Sequence, residues 1–282
     1  MATVGLVAGA GQFPLDIVQA ARRAGHRVIV GALRELASRE LEEYADRVEW
    51  LCLGEFEALF TLWREAGADQ ALMAGKVPKT FLWERPDAVK LDAIALELVG
   101  SVADRADDSL LGAVADAIEK HGFRLLDQVS LTPELRAPAA VLGAVAPTPT
   151  QWADIAFGWP VAKALGDLDV GQSVVVQDRA VLALEAVEGT DAAIARGCAL
   201  SDRERGACVV KVAKPSQDPR FDMPTVGLAT LRTMAEGGAS VLAVEAGATV
   251  VVEREALVAE ADAAGIAVVG VDAAEIERQV SS

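Results

Sequence analysis

The chain has 282 residues, a length suited to two domains of ordinary size, and 52% of them are apolar, enough to bury large cores. Its formal charge of −16 excludes the broad basic face that nucleic acid, or a general attraction to anionic lipid, would require. No run reaches about 18 uninterrupted apolar residues, so no membrane-crossing helix is expected, and the opening MATVGLVAGAG lacks the basic n-region of a signal peptide. Cys52, Cys198 and Cys208 are widely spaced, show no zinc pattern, and read as small buried hydrophobes of a reducing cytoplasm.

Residues 3–8 read as a buried strand and Gly9-Ala10-Gly11-Gln12-Phe13-Pro14 as a turn. Residues 15–24 follow as a helix closed by Gly25, and 26–33 as a second strand. This order opens a nucleotide-binding βαβ unit, in which backbone N–H groups at the helix start approach a phosphate or sugar ligand. It is incomplete for a dinucleotide. Pro14 replaces the third glycine of G-x-G-x-x-G, and residues 30–33 bring no acid for a ribose hydroxyl. Helices are expected over 36–44 and 55–66, and strands over 48–53 and 70–74. Lys76 leaves the C-terminal end of that last strand, the edge where open α/β sheets bind ligands. It joins Gly9, Gly11, Gln12, Phe13 and Pro14 as a substrate-binding candidate. Residues 92–121 form one or two helices, with Asp107 or Asp108 as an N-cap and a metal cluster with Asp104 as the sharper alternative. His26 and His121 stand at element ends and read as neither ligand nor base.

Pro133, Pro138, Pro147 and Pro149 among alanines mark 133–150 as a linker between an N-terminal domain, 1–132, and a C-terminal one, 151–282. Beyond it, Thr150 or Asp154 starts a helix to residue 165. Strands 173–177 and 181–187 pair as a hairpin with Glu185 inside the second. Gly189 opens a short helix over 192–196, with Thr190 or Asp191 as its cap and free amides aimed at an anion. A carboxylate in an apolar strand needs a partner, and Lys211 on strand 209–212 is the candidate. Pro215, Pro219 and Pro224 then forbid helix interior or central strand, so 213–224 is a loop of constrained path. On or beside it stand Lys211, Lys214, Gln217, Asp218, Arg220, Asp222 and Thr225. These are cations for phosphate oxygens and a carboxylate for a divalent cation. Helices over 227–237 and 254–264 and strands over 239–244, 250–252 and 266–271 complete the chain. The fold class is α/β in two domains, the first Rossmann-like with a mainly parallel sheet, the second a mixed sheet with helices.

Seven blocks in this order carry a resemblance to a known family. They are GLVAGAGQFP at 5–14, LGEFEALF at 53–60, AGKVPK at 74–79, DLDVGQSVVV at 167–176, VLALEAVEGTD at 181–191, VVKVAKPSQDPRFDMPTVGLATL at 209–231 and AVEAG at 243–247. The chain resembles the UDP-2,3-diacylglucosamine pyrophosphatases of the LpxI type, bacterial enzymes of lipid A synthesis. The resemblance implies hydrolysis of the pyrophosphate of UDP-2,3-diacylglucosamine to UMP and the acylated sugar 1-phosphate, with attack on the sugar-side phosphorus. It implies a divalent metal, Mg²⁺ first, a lipid substrate between the domains, and a cytoplasmic homodimer peripheral at most on the inner membrane. The family's essential aspartate, the D of D-x-P-x-x-G, falls on Asp222. Lys211 and Lys214 fit it as phosphate-binding cations, and Asp191 and Glu185 are the candidates for further metal carboxylates. Gly189, Thr190, Asp191, Gln217 and Thr225 join the substrate-binding set. With no Ser/His/Asp or Cys/His constellation, direct attack by water is the expected mechanism. The weighed alternatives are a dinucleotide-dependent oxidoreductase and a non-catalytic binder of a sugar nucleotide or lipid.

Overall fold

The computed structural model describes residues 1–78, 81–101, 107–215 and 217–280, and the chain divides into two compact units. The first comprises Met1–Pro133 together with Asp218–Asp222; the second comprises Glu134–Gln217 and Met223–Ser282.

In chain order the first unit contains β1 (Thr3–Ala8), α1 (Phe13–Arg23), β2 (Arg27–Leu33), α2 (Leu41–Tyr44), β3 (Arg47–Leu51), α3 (Phe56–Glu65) and β4 (Gln70–Ala74). The short α4 (Phe81–Glu84), α5 (Ala93–Ser101), α6 (Asp107–Lys120) and β5 (Arg124–Leu125) follow. Its sheet is wholly parallel in the order β3-β2-β1-β4-β5. Strand order reverses between β1 and β4, which creates a switch-point crevice at their carboxyl ends. Trp63 is fully buried against the backbone of Gly5, where an added Cβ would lie 2.4 Å from the indole, and its Nε1 donates to Ile29 O at 3.1 Å. Phe60, Phe123 and Ile118 pack around it. Residues 36–40 are turn rather than the expected helix, which shrinks to α2, because Leu41 alone of that stretch is buried. Asp104 and the side chains of Asp107 and Asp108 lie outside the described residues.

The second unit runs α7 (Pro149–Asp167), β6 (Ser173–Gln177), β7 (Ala180–Leu184), α8 (Thr190–Leu200), β8 (Cys208–Lys211), β9 (Thr225–Val226) and α9 (Leu228–Gly237). It ends with β10 (Val241–Glu245), β11 (Val250–Val251), α10 (Arg254–Ala264), β12 (Ala267–Val271) and α11 (Ala273–Val280). The sheet order is β12-β10-β8-β6-β7, with β8, β10 and β12 parallel and β6 antiparallel to both neighbours. Both faces are covered. Val175, Val209, Leu242 and Val268 belong to one core with Ile194 and Leu231, while Val174, Val210, Ala243 and Val269 belong to another with Ile155 and Ala162. Consecutive valines thus enter opposite cores, which is why these strands read as unbroken apolar runs.

The expected linker is not one. Residues 134–148 pack within the second unit: Ala137 N donates to Thr249 O, Leu142 N to Val268 O, and Ala137 is buried in its core. The helix beyond starts at Pro149 rather than Thr150 or Asp154, because Thr148 and Gln151 form a reciprocal capping box with proline in the first turn. Asp154 instead accepts the amides of Asp178 and Arg179 at the β6–β7 hairpin. Glu185 stands just past β7, not inside it. Among the described residues no helix is long and apolar enough to cross a membrane.

Candidate active site

In the first unit the loops leaving β1 and β4 meet at the switch point. Ala10 and Lys76 pair backbone to backbone, N–H to O at 2.9 and 2.8 Å, and Gly9 N donates to Ala74 O. An added Cβ at Gly9 would lie 2.8 Å from Lys76 O, and one at Gly75, whose φ is +90°, 2.6 Å from the Gly9 carbonyl carbon. The glycine turn is therefore demanded first by close backbone packing. Phe13 and Pro14 are buried and the Gly9 and Ala10 amides are bound to Ala74 O and Lys76 O, so neither those side chains nor those two N–H groups face a ligand. The Gln12 amide donates to Asp16 at 3.1 Å. Gly11 and Lys76 are exposed.

Asp222 belongs to a turn built into this same unit. Its N–H donates to Asp218 O at 2.9 Å, and the Phe221 ring packs on the core around Phe60 and Trp63. Arg220 grips Asp218 through Nε at 3.0 Å and Nη2 at 2.7 Å, and reaches Glu119 on α6 at 3.4 Å. That guanidinium holds the Asp218 carboxyl below its ordinary range, with partial burial pulling the other way. Arg220 is thus a brace for the turn. Gln128, buried and not anticipated from sequence, joins the parts: its N–H donates to Pro219 O at 2.9 Å and its side chain to Met73 O at 2.8 Å. The Asp222 turn is in this way tied to β4, three residues before Lys76. Asp222 itself is half-buried.

In the second unit Lys211 ends β8, two residues past Val209 and so on the sheet face that α8 covers. Its Nζ donates to Thr190 Oγ1 at 3.1 Å and to Thr225 O at 3.0 Å, and the Thr190 hydroxyl donates to Glu185 at 2.8 Å. The Glu185–Lys211 partnership is therefore linked through Thr190 at the start of α8. Lys211 is 5% exposed and Glu185 8%. Neither Thr190 nor Asp191 caps the helix. Gly189 occupies the cap position with φ +84°, and Asp191 accepts from Thr230 at 2.9 Å. The other Glu185 oxygen accepts Gln172 N at 3.3 Å. Lys214 pairs with Asp169 at 2.6 Å, its N–H donates to Gln217 Oε1 at 2.8 Å, and the Gln217 amide reaches Gln172 at 3.1 Å. Gln217 thus shapes the loop around Lys214. Thr225 offers its carbonyl to Lys211, while its hydroxyl donates to Met223 O.

Among the described residues no group of three or more His, Cys, Asp or Glu side chains is arranged to hold a metal ion. Glu185 and Asp191 are engaged by protein donors. Burial pushes the Cys198 and Cys208 thiols up, so neither is a nucleophile. Two surface hollows of the first unit, of about 390 and 280 Å³, are lined by Arg/Glu clusters around Thr61 and Trp50 and contain none of the candidate residues.

Residues 3–135 match the LpxI N-terminal domain and residues 138–269 the LpxI C-terminal domain. The chain is 38% identical over 288 residues to the Caulobacter vibrioides protein named UDP-2,3-diacylglucosamine pyrophosphatase LpxI, covering 98% of this chain and 99% of that one. A match of that extent, spanning both units and the Asp222 turn, makes this chain a member of the LpxI family.

Proposed function

We propose that this protein hydrolyses the pyrophosphate bond of UDP-2,3-diacylglucosamine, giving UMP and 2,3-diacylglucosamine 1-phosphate, by direct attack of water. The observation that supports this most is the full-length likeness to a protein named for that activity, joined to a braced, half-buried Asp222 within its D-x-P-x-x-G sequence. In the balanced reaction water adds to the sugar-side phosphorus, the bridging P–O bond breaks towards UMP, and one proton is lost.

Each residue has a part in that chemistry. The turn that carries Asp222 is held by the Asp218–Arg220 pair and by the Asp222 N–H bond to Asp218 O, so the residue meets the substrate on a fixed backbone. Lys214, anchored at its own amide by Gln217, takes a diphosphate oxygen as a point charge. Lys211 lies beneath the surface, where its charge acts through a poorly screened interior and keeps the first turn of α8 in place. The amides of Thr190 and Asp191, uncapped by any side chain, and the turn residues Gly11 and Gln12 with Lys76 supply further polar contacts to phosphate, sugar or uridine. One carboxylate together with diphosphate oxygens is a donor set that suits Mg²⁺, and Asp222 would hold the ion, with Asp191 and Glu185 as the secondary candidates. When bound, such an ion neutralises charge on the phosphoryl oxygens. The same reading proposes a cytoplasmic homodimer that touches the membrane surface transiently to reach its lipid substrate.

The test is incubation with UDP-2,3-diacylglucosamine and Mg²⁺ in ¹⁸O-labelled water, with and without chelator. UMP should appear only without chelator, and the label should be in the sugar 1-phosphate. Label in UMP would reverse the point of attack, and no UMP under any divalent metal would overturn the proposal.

A further inference from the structure

The AVEAG block at 243–247 has no part in the chemistry above, yet its glutamate is tightly held at the carboxyl edge of the second sheet. Glu245 ends β10, beside the strand pair Val244 and Lys211. Its Oε2 accepts the Ala213 N–H at 2.7 Å and pairs with Lys163 Nζ, from α7, at 2.6 Å. The same Nζ donates to Ala213 O at 3.1 Å. One ion pair therefore holds both polar groups of a single residue. The side chains are only 29% and 19% exposed, and Lys163 Nζ also lies 5.5 Å from the Trp159 ring centre. Ala213 stands between Lys211 and Lys214. On either side of it Val212 N is bound to Gln172 O at 3.0 Å and Lys214 N to Gln217. A strand end needs one acceptor for its N–H; two half-buried charges converging on one residue fix the direction in which the chain leaves the sheet.

We infer that Glu245 and Lys163 are positioning residues for the hydrolysis: by clamping Ala213 they set the direction in which the chain leaves β8 and so the place of Lys214, the next residue. This rests on the hydrolase reading. Misplacement of a reacting group by about 1 Å costs on the order of 100-fold in rate, with little effect on ground-state binding spread over a large substrate.

The experiment measures kcat, KM and the urea unfolding midpoint on UDP-2,3-diacylglucosamine with Mg²⁺. It compares the wild type with Glu245→Ala, Glu245→Gln, Lys163→Met and the Glu245→Ala/Lys163→Met double variant. The expected result is a loss of about 10- to 100-fold in kcat per folded molecule for Glu245→Ala, with KM within about threefold. Glu245→Gln, which keeps an oxygen for the Ala213 N–H, should recover part of that loss. The double variant should be no worse than the poorer single one, because both act on one peptide. Wild-type kcat in the folded Glu245→Ala protein overturns the inference. So does a loss explained wholly by the unfolded fraction, or multiplicative losses in the double variant. Should Glu245→Ala fail to fold, Lys163→Met decides alone, by its kcat per folded molecule. Turnover by the wild type with unaltered variants overturns the positioning role only; no turnover by the wild type overturns the hydrolase reading with it.

Discussion

Lys211, Thr190 and Glu185 form a chain of hydrogen bonds whose two ends are charged and almost wholly buried. Removing one end leaves the other without its counter-charge, so Lys211→Met should cost roughly 3–5 kcal/mol in urea unfolding. Thr190→Val, which strands two polar partners, should cost about 1–3 kcal/mol. Asp218 gives a pH-dependent prediction. Its carboxyl titrates below the ordinary value of about 4 because Arg220 grips it. The pair's contribution is therefore complete above that ordinary value and is lost as pH falls through the lower, folded one. Carboxyl NMR should find the Asp218 titration moving upward in Arg220→Met, and an unmoved titration would deny the brace. At this scale the sequence was legible wherever burial forces a pairing: a carboxylate in apolar surroundings pointed to Lys211. It was not legible where one residue type serves two purposes. Thr190 fits a helix cap by composition, yet its hydroxyl serves Glu185, and Phe13 in a glycine turn fits a ligand wall but packs inward.

Elements with a clear period were readable along the chain, since β1, α3, β4, β6 and α10 repeat apolar residues at strand or helix spacing over several turns or pleats. The two-residue β5 and β9 have no period to read, and the polar α11 was missed with them. The loops that join the elements depend on distances no local pattern encodes. A glycine ahead of a helix suggests close approach to a phosphate, yet the Cβ position of Gly9 is filled by the Lys76 carbonyl. Gly9→Ala should therefore push the β1 and β4 loops apart, disturb the Ala10–Lys76 pair, and destabilise the protein by more than about 1 kcal/mol in urea unfolding. A neutral substitution would mean that the two loops are not in contact in solution.

For the whole molecule, the two α/β domains and their sheet types followed from the alternation of strands and helices, but the boundary did not. Five residues from the C-terminal half, Asp218–Asp222, complete the first unit, and the proline-rich stretch after Pro133 belongs to the second. Prolines shape a path without saying where it docks, so composition alone misread that stretch as a linker. The docking has a consequence: Phe221→Ala should lower hydrogen-exchange protection in α3 and α6 of the first unit by about 1–3 kcal/mol while leaving β10 and β12 unaffected. A loss confined to the second unit would contradict this assignment. The account rests on Asp222 as the carboxylate that the hydrolysis requires, and the most direct test follows UMP release by ³¹P NMR for wild type and Asp222→Ala at equal folded concentration. It predicts a loss of at least about 1,000-fold per folded molecule, and hydrolysis by the variant at the wild-type rate would contradict it.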